Sequence, residues 1–115
     1  MNTQSPSSEN NSAILVLTNM PDQDSAETIA HALVSRKLAA CVNMLASCQS
    51  CYQWQGKVET ATEIPLLIKT TAERYAELEQ AIRELHPYEL PEIIHVPITG
   101  GFPAYLTWLH QETQA

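Results

Sequence analysis

The alternation of apolar and polar residues along the chain predicts four strands and three helices. Short apolar runs indicate strands at residues 13–17, 39–45 (resumed at 49–54), 66–68 and 93–98. Apolar residues that recur every three or four positions indicate helices at residues 24–37, 70–86 and 104–111. Asp24 with Glu27, and Thr70 with Glu73, resemble capping boxes at the first two helix starts. This β-α-β-β-α-β order with a terminal helix predicts a ferredoxin-like α+β fold, an antiparallel sheet with two helices on one face.

The segment between the second helix and the fourth strand is predicted to be a rigid corner. Pro87 and Pro91 each fix their own φ and favour extended geometry in the residue before them. The helix must therefore end near His86, and Leu90 must already be extended. The corner holds an imidazole, a phenol and two carboxylates in a nearly fixed arrangement, which makes it a candidate site.

Composition and charge describe one globular domain. With 115 residues and 44% hydrophobic residues, the chain can bury a core without disulfides or a structural metal. Residues 1–12 are predicted to be a disordered tail and residues 13–115 a single domain. A net charge of −7 without a Lys/Arg cluster argues against nucleic acid as a partner. No apolar run approaches the ~18 residues of a membrane span. Three cysteines without a secretory signal predict reduced thiols and a cytoplasmic location.

The second and third strands form a predicted hairpin, residues 39–70, that is longer than a domain of this size needs. Its unpaired edges favour pairing with another chain. Pro65 removes a donor from the strand ladder, which predicts a bulge or an edge there. Tyr52 and Trp54 share one strand face near the tip. Two interpretations stay open: the rings lie in a subunit interface, which large aromatic residues favour, or they pack on the helices of their own domain.

Cys48 and Cys51 have the CxxC spacing of redox sites and metal-thiolate sites. Residues three apart in a regular strand point to opposite faces, so only a bulge or turn near Ser47 would bring the two sulfurs together. Two isolated small thiols are the favoured interpretation. Cys41 is predicted to belong to the core.

Five segments recur here in a defined order and spacing between about residues 14 and 109. They are Leu38-Ala-Ala-Cys41-Val-Asn43, Tyr52-Gln-Trp54-Gln-Gly56-Lys57, Leu67-Ile68-Lys69-Thr70, His86-Pro-Tyr88-Glu-Leu-Pro91-Glu92-Ile-Ile94 and Tyr105-Leu-Thr-Trp108. Together they resemble the CutA family of divalent-cation tolerance proteins. The resemblance implies the same ferredoxin-like fold and a compact homotrimer, related in architecture to the PII signalling proteins, whose hairpins pair across the assembly. It also implies tolerance of copper and other divalent cations, and no enzymatic activity.

Copper-binding members of that family are described with a cysteine at the end of the first strand and paired histidines before the Pro-Tyr dipeptide. In this chain Thr18, Leu85 and His86 occupy those positions, so one of the three ligands is retained. His86 is equally well explained as a cap for carbonyls at the end of the second helix. The candidate copper ligands are therefore one imidazole and three thiols whose soft sulfurs suit Cu(I): His86, Cys41, Cys48 and Cys51.

A second candidate site is a cleft between subunits. Lys69 ends the third strand, and Tyr88 and Glu92 flank the corner; with Trp54 they are predicted to orient a small anionic or zwitterionic ligand. The alternative is a buried polar network that locks the corner, with Lys69 paired to Glu92 or Glu63.

The sequence thus predicts a trimeric CutA-like protein of divalent-cation, and in particular copper, tolerance. The alternative is a PII-like trimeric signalling or scaffold protein that binds a small ligand or a protein partner between its subunits. An enzyme is the least favoured class, because the chain contains no nucleophile–base pair and no phosphate loop, and only three glycines.

Overall fold

The structure is a computed structural model that describes residues 12–115. The predicted tail lies outside the described residues except for Ser12, whose carbonyl accepts a hydrogen bond from the Ala72 N–H at 3.0 Å. The elements in chain order are β1 (Ala13–Met20), α1 (Gln23–Ser35), β2 (Cys41–Met44), β3 (Cys48–Trp54), β4 (Lys57–Thr71), a 3₁₀ turn (Ala72–Arg74), α2 (Tyr75–Leu85), β5 (Ile93–Pro97) and α3 (Pro103–Glu112).

The sheet is antiparallel and has the spatial order β2-β4-β1-β5, while β3 pairs with the remaining length of β4. This is the strand order of the ferredoxin-like split βαβ arrangement, so the predicted α+β fold of the chain is confirmed. Helices α1 and α2 pack on one face. Val16 and Ile68 from the sheet meet Leu33 from α1 and Ile82 from α2 in the core, and all four side chains are fully buried.

The opposite face of the sheet is largely apolar and only partly covered. Leu17 pairs with Leu67 on β4 and with Ile94 on β5, and Leu15 pairs with Val96, so these five side chains share one side of the sheet. We call this set the open face. Ile94 is 53% exposed and Val96 is 46% exposed.

Helix α3 covers only one end of this side of the sheet. Its buried residue Leu109 packs against Ala13 and Ala40. The rest of the open face is partly exposed, and Tyr105 and Trp108 of α3 are 39% and 40% exposed. An exposed apolar surface of this kind marks a site of association.

The helix starts differ from the two predicted capping boxes. The first helix is capped by Asp22, whose carboxylate accepts the Ser25 N–H at 2.8 Å, so the predicted Asp24 cap is wrong by two residues. The predicted Thr70 cap is also wrong. Thr70 is still part of β4, and its hydroxyl donates to the Leu38 carbonyl at 2.7 Å. For the first helix, local propensity identified the correct residue type, and the end of β1 decided which aspartate is the cap. The second helix begins after a 3₁₀ turn, and its N-cap residue, Arg74, makes no side-chain cap hydrogen bond.

The hairpin contains the bulge that Pro65 predicts. Strand β2 ends opposite Leu66 and β3 begins opposite Glu63, so the three residues 45–47 span the space opposite the two residues 64–65. The Leu45 N–H still donates to the Pro65 carbonyl at 2.9 Å. The extra residue divides the predicted long second strand into β2 and β3.

Candidate functional site

The corner between α2 and β5 is anchored at both ends by Asn19. Helix α2 ends at Leu85 because Pro87 favours the extended backbone that His86 adopts, with φ −81° and ψ 133°. The His86 Nε2 atom lies 2.6 Å from the Asn19 carbonyl oxygen. The Asn19 Nδ2 group donates to Glu92 Oε1 at 2.9 Å. One residue near the end of β1 therefore holds the first and the last residue of the corner.

Asn19 is not among the predicted site residues, and Glu63 is predicted only as a partner for Lys69. Asn19 is the polar residue that follows the apolar run of β1, directly before Met20 and Pro21. A polar residue where a buried strand ends is the one signal that indicates its role. Glu63 stands beside apolar Ile64 in β4 and is only 7% exposed, and a buried carboxylate requires a partner.

His86 is the neutral tautomer that carries its proton on Nε2. Its Nδ1 atom accepts the Tyr88 backbone N–H at 3.1 Å, so Nε2–H donates to the Asn19 carbonyl. Burial lowers the pKa of His86, while the hydrogen bond to Asn19 and the charge of Glu63 act in the opposite direction. The imidazole caps the end of β1 instead of the helix carbonyls that the cap interpretation proposed. Both ring nitrogens are engaged within the chain.

A groove of about 640 Å³ lies between the corner and the β3–β4 hairpin. Tyr52 and Trp54 from β3 and Tyr88 from the corner supply its aromatic surface. The Tyr88 hydroxyl donates to Glu63 Oε2 at 2.9 Å. The groove brings together three of the four predicted ligand residues, Trp54, Tyr88 and Glu92. Burial of Tyr52 and Trp54 in a subunit interface stays a prediction.

Lys69 lies apart from this groove within the chain. Its Cα partners are Leu15 on β1 and Cys41 on β2, and its ammonium group donates to Asn43 Oδ1. Neither proposed partner of Lys69 is therefore correct within one chain: Glu92 accepts from Asn19, and Glu63 accepts from Tyr88. A polar network does connect the corner to β1 and β4, with His86 and Glu63 buried and Glu92 exposed, and it is built without the lysine.

The candidate copper ligands do not meet within one chain. Cys48 and Cys51 lie three residues apart on the regular strand β3, beyond the bulge, and Cys51 is exposed. Cys41 is only partly buried on β2, and through its partner Lys69 it lies on the same side of the sheet as Leu15. The predicted place of Cys41 in the core is therefore wrong. The described residues contain no group of three or more His, Cys, Asp or Glu side chains that could hold a metal ion.

The two positions that depart from the copper-binding pattern differ sharply in environment. Thr18 is 1% exposed, and within residues 12–115 its hydroxyl has no hydrogen-bond partner. Leu85 is 36% exposed at the end of α2. With His86 already engaged at both nitrogens, the residues of one chain do not fit a bound copper ion at this place.

No helix of the described chain is both long enough and apolar enough to cross a membrane.

The fold and the anchored corner together define a ferredoxin-like α+β protein with a groove between its corner and its hairpin. The model of the CutA1 divalent ion tolerance protein family matches residues 14–112. The chain belongs to this family, and the predicted resemblance is confirmed. The family is named for divalent ion tolerance and not for a reaction. That this chain has no catalytic activity stays a prediction.

Individual relatives agree with that membership. The divalent-cation tolerance protein CutA of Thermus thermophilus is 44% identical over 99 residues, covering 86% of this chain and 96% of that protein. The chloroplastic protein CutA of Arabidopsis thaliana is 38% identical over 102 residues, and the chain spans 56% of its length. The crystal structure of CutA from Xylella fastidiosa superposes with a TM-score of 0.87 at 46% identity, covering 90% of this chain and 99% of that one.

Proposed function

We propose that this chain forms a homotrimer and acts in the tolerance of divalent cations. The observation that carries the trimer is the open face, because five apolar side chains lie on one side of the sheet and two of them, Ile94 and Val96, are about half exposed within the described residues. Closed rotational assemblies let each copy cover such a face with an identical neighbour. The three unpaired cysteines support the predicted cytoplasmic location, although one plant relative has a chloroplast location in its name.

The proposed role is tested by growth. A bacterial strain that lacks its own protein of this family is expected to regain growth in elevated copper when this chain is expressed. A variant that cannot assemble, Ile94→Lys, is expected to give no protection at the same protein level. Full protection by the unassembled variant would show that the trimer is not the functional unit.

Copper binding is a separate proposal, and its donors are expected to be thiols. In an anaerobic Cu(I) titration against a calibrated chelator, His86→Gln is expected to leave the affinity unchanged, because both imidazole nitrogens already have partners. A variant with Cys41, Cys48 and Cys51 replaced by alanine is expected to lose the binding, since soft sulfur suits Cu(I). Loss of affinity in His86→Gln, with the fold intact, would show that the imidazole leaves Asn19 to ligate copper.

The PII-like alternative, a trimeric signalling or scaffold protein, stays a prediction. A small ligand of such a protein would find a place in the groove beside the corner.

A further inference from the structure

The groove between the corner and the hairpin is lined by acidic and aromatic side chains. Glu63, Glu89 and Glu92 contribute carboxylates, and Tyr52, Trp54 and Tyr88 contribute rings: these six are its charged and aromatic residues. None of the residues that line it, all within the described part of the chain, is Lys, Arg or His. Lys57, at the hairpin turn, pairs with Trp54 along the strand and does not line the groove.

Two of the carboxylates are held in place by neighbours from other elements. Asn19 fixes Glu92 through Oε1, and Tyr88 fixes the buried Glu63 through Oε2. Burial raises the pKa of Tyr88 to about 12, and the hydrogen bond to Glu63 and the charge of that carboxylate add to the effect. The phenol is therefore a neutral donor at physiological pH, and the groove keeps its negative charge.

The lining discriminates between classes of ligand. An anion would meet carboxylates without any basic partner. A small metal ion needs several converging ligands, and the described residues contain no such group. A large, weakly hydrated cation is attracted by the faces of aromatic rings and by nearby carboxylates. The volume of about 640 Å³ suits a small molecule.

We propose that this groove binds a small organic cation that carries an alkylated ammonium group, with Trp54 and Tyr52 against the ammonium and Glu92 and Glu89 supplying the opposite charge. A cation takes the place of the small anionic or zwitterionic ligand predicted from Lys69, which lies outside the groove. Binding of this cation does not depend on the role in divalent-cation tolerance. The groove also lies beyond Asn19 near the end of β1, whereas the open face spans the middle of the sheet.

The test uses the full-length protein and three probes of similar shape. Choline is the cation, 3,3-dimethylbutan-1-ol is its neutral isostere, and 3,3-dimethylbutanoate is an anion. In a Trp108→Phe background Trp54 is the sole tryptophan, so its fluorescence reports on the groove. Choline is expected to give a saturable change, with binding at least about tenfold tighter than the neutral isostere. The anion is expected to give no saturable change.

Matched variants separate a site from general attraction to an acidic protein. Glu92→Gln keeps an oxygen for Asn19 and is expected to weaken choline binding about tenfold. Glu84→Gln removes the same charge from α2, outside the groove, and is expected to leave binding unchanged. Equal binding of choline and its neutral isostere, tighter binding of the anion, an equal loss in both variants, or no saturation below about 10 mM would each overturn the proposal. The last result is also expected if a neighbouring subunit fills the groove.

Discussion

Ile94→Lys is expected to convert the trimer into folded single chains. Ile94 is 53% exposed in the isolated chain, so a lysine there costs the fold of one subunit little. In a trimer that buries the open face, the same ammonium would be desolvated without a partner in every subunit, at a cost on the order of several kcal/mol each. Light scattering coupled to size exclusion should give three chain masses for the unmodified protein and one for the variant.

Val34→Lys is the matched control for this change. Val34 is 43% exposed on α1, on the helical side of the molecule, and a cation near a helix C-terminus is favourable. The control makes the same change in charge and should remain trimeric. If Ile94→Lys stays trimeric while the circular dichroism of both variants is native, the open face is not the subunit interface.

His86→Ala is expected to lower the free energy of unfolding by about 2–5 kcal/mol. The change removes the partners of the Asn19 carbonyl and the Tyr88 N–H, and it leaves a cavity where a 7% exposed ring packed. The corner would lose its connection to the end of β1. Urea unfolding at a fixed protein concentration measures the change, and His31→Ala, an exposed position on α1, should be nearly neutral.

The pH dependence of unfolding shows whether the His86 imidazole itself contributes the stability that His86→Ala removes. Burial lowers the pKa of His86 in the folded protein from its ordinary value of 6.5, so the unfolded chain binds more protons in acid. The stability that the neutral ring contributes is present above about pH 6.5 and is lost as the pH falls through the lower, folded-state pKa. His86→Gln should flatten this dependence, and His31→Gln should retain it. An unchanged slope in His86→Gln would assign the acid sensitivity to other groups.

The sequence predicted most of the fold because its features are local. The periodicity of apolar residues located the strands and the three α-helices, although it marked only residues 66–68 of the long strand β4 and missed the 3₁₀ turn after it. The prolines located both the hairpin bulge at Pro65 and the corner after His86. The second predicted cap was wrong because β4 continues through Thr71. The first was displaced because two residues of suitable type lie close together. Asp22 and Asp24 can both cap a helix, and the position where β1 stops selects Asp22.

The candidate site was predicted less completely because it depends on the register of the strands. Lys69 and Glu63 belong to the same strand, yet Lys69 lies four residues beyond Pro65, the partner of Asn19. At about 3.3 Å per residue this separation is about 13 Å, too far for Lys69 to reach the corner within one chain. The family pattern named the important residues without showing which of them meet.

The elements, their order and the family could be predicted from the amino-acid sequence, because periodicity, proline geometry and motif spacing are properties of neighbouring residues. Which distant side chains contact each other follows only from the tertiary structure. Asn19 meets His86, 67 positions away, and Glu92, 73 positions away, only because β1 ends where the corner begins. The fold also makes the groove acidic. The antiparallel register places Lys69 farther along β4, outside the groove, and the lining contains carboxylates and aromatic rings instead. Contacts between distant residues depend on how the strands align, and no local pattern contains that information.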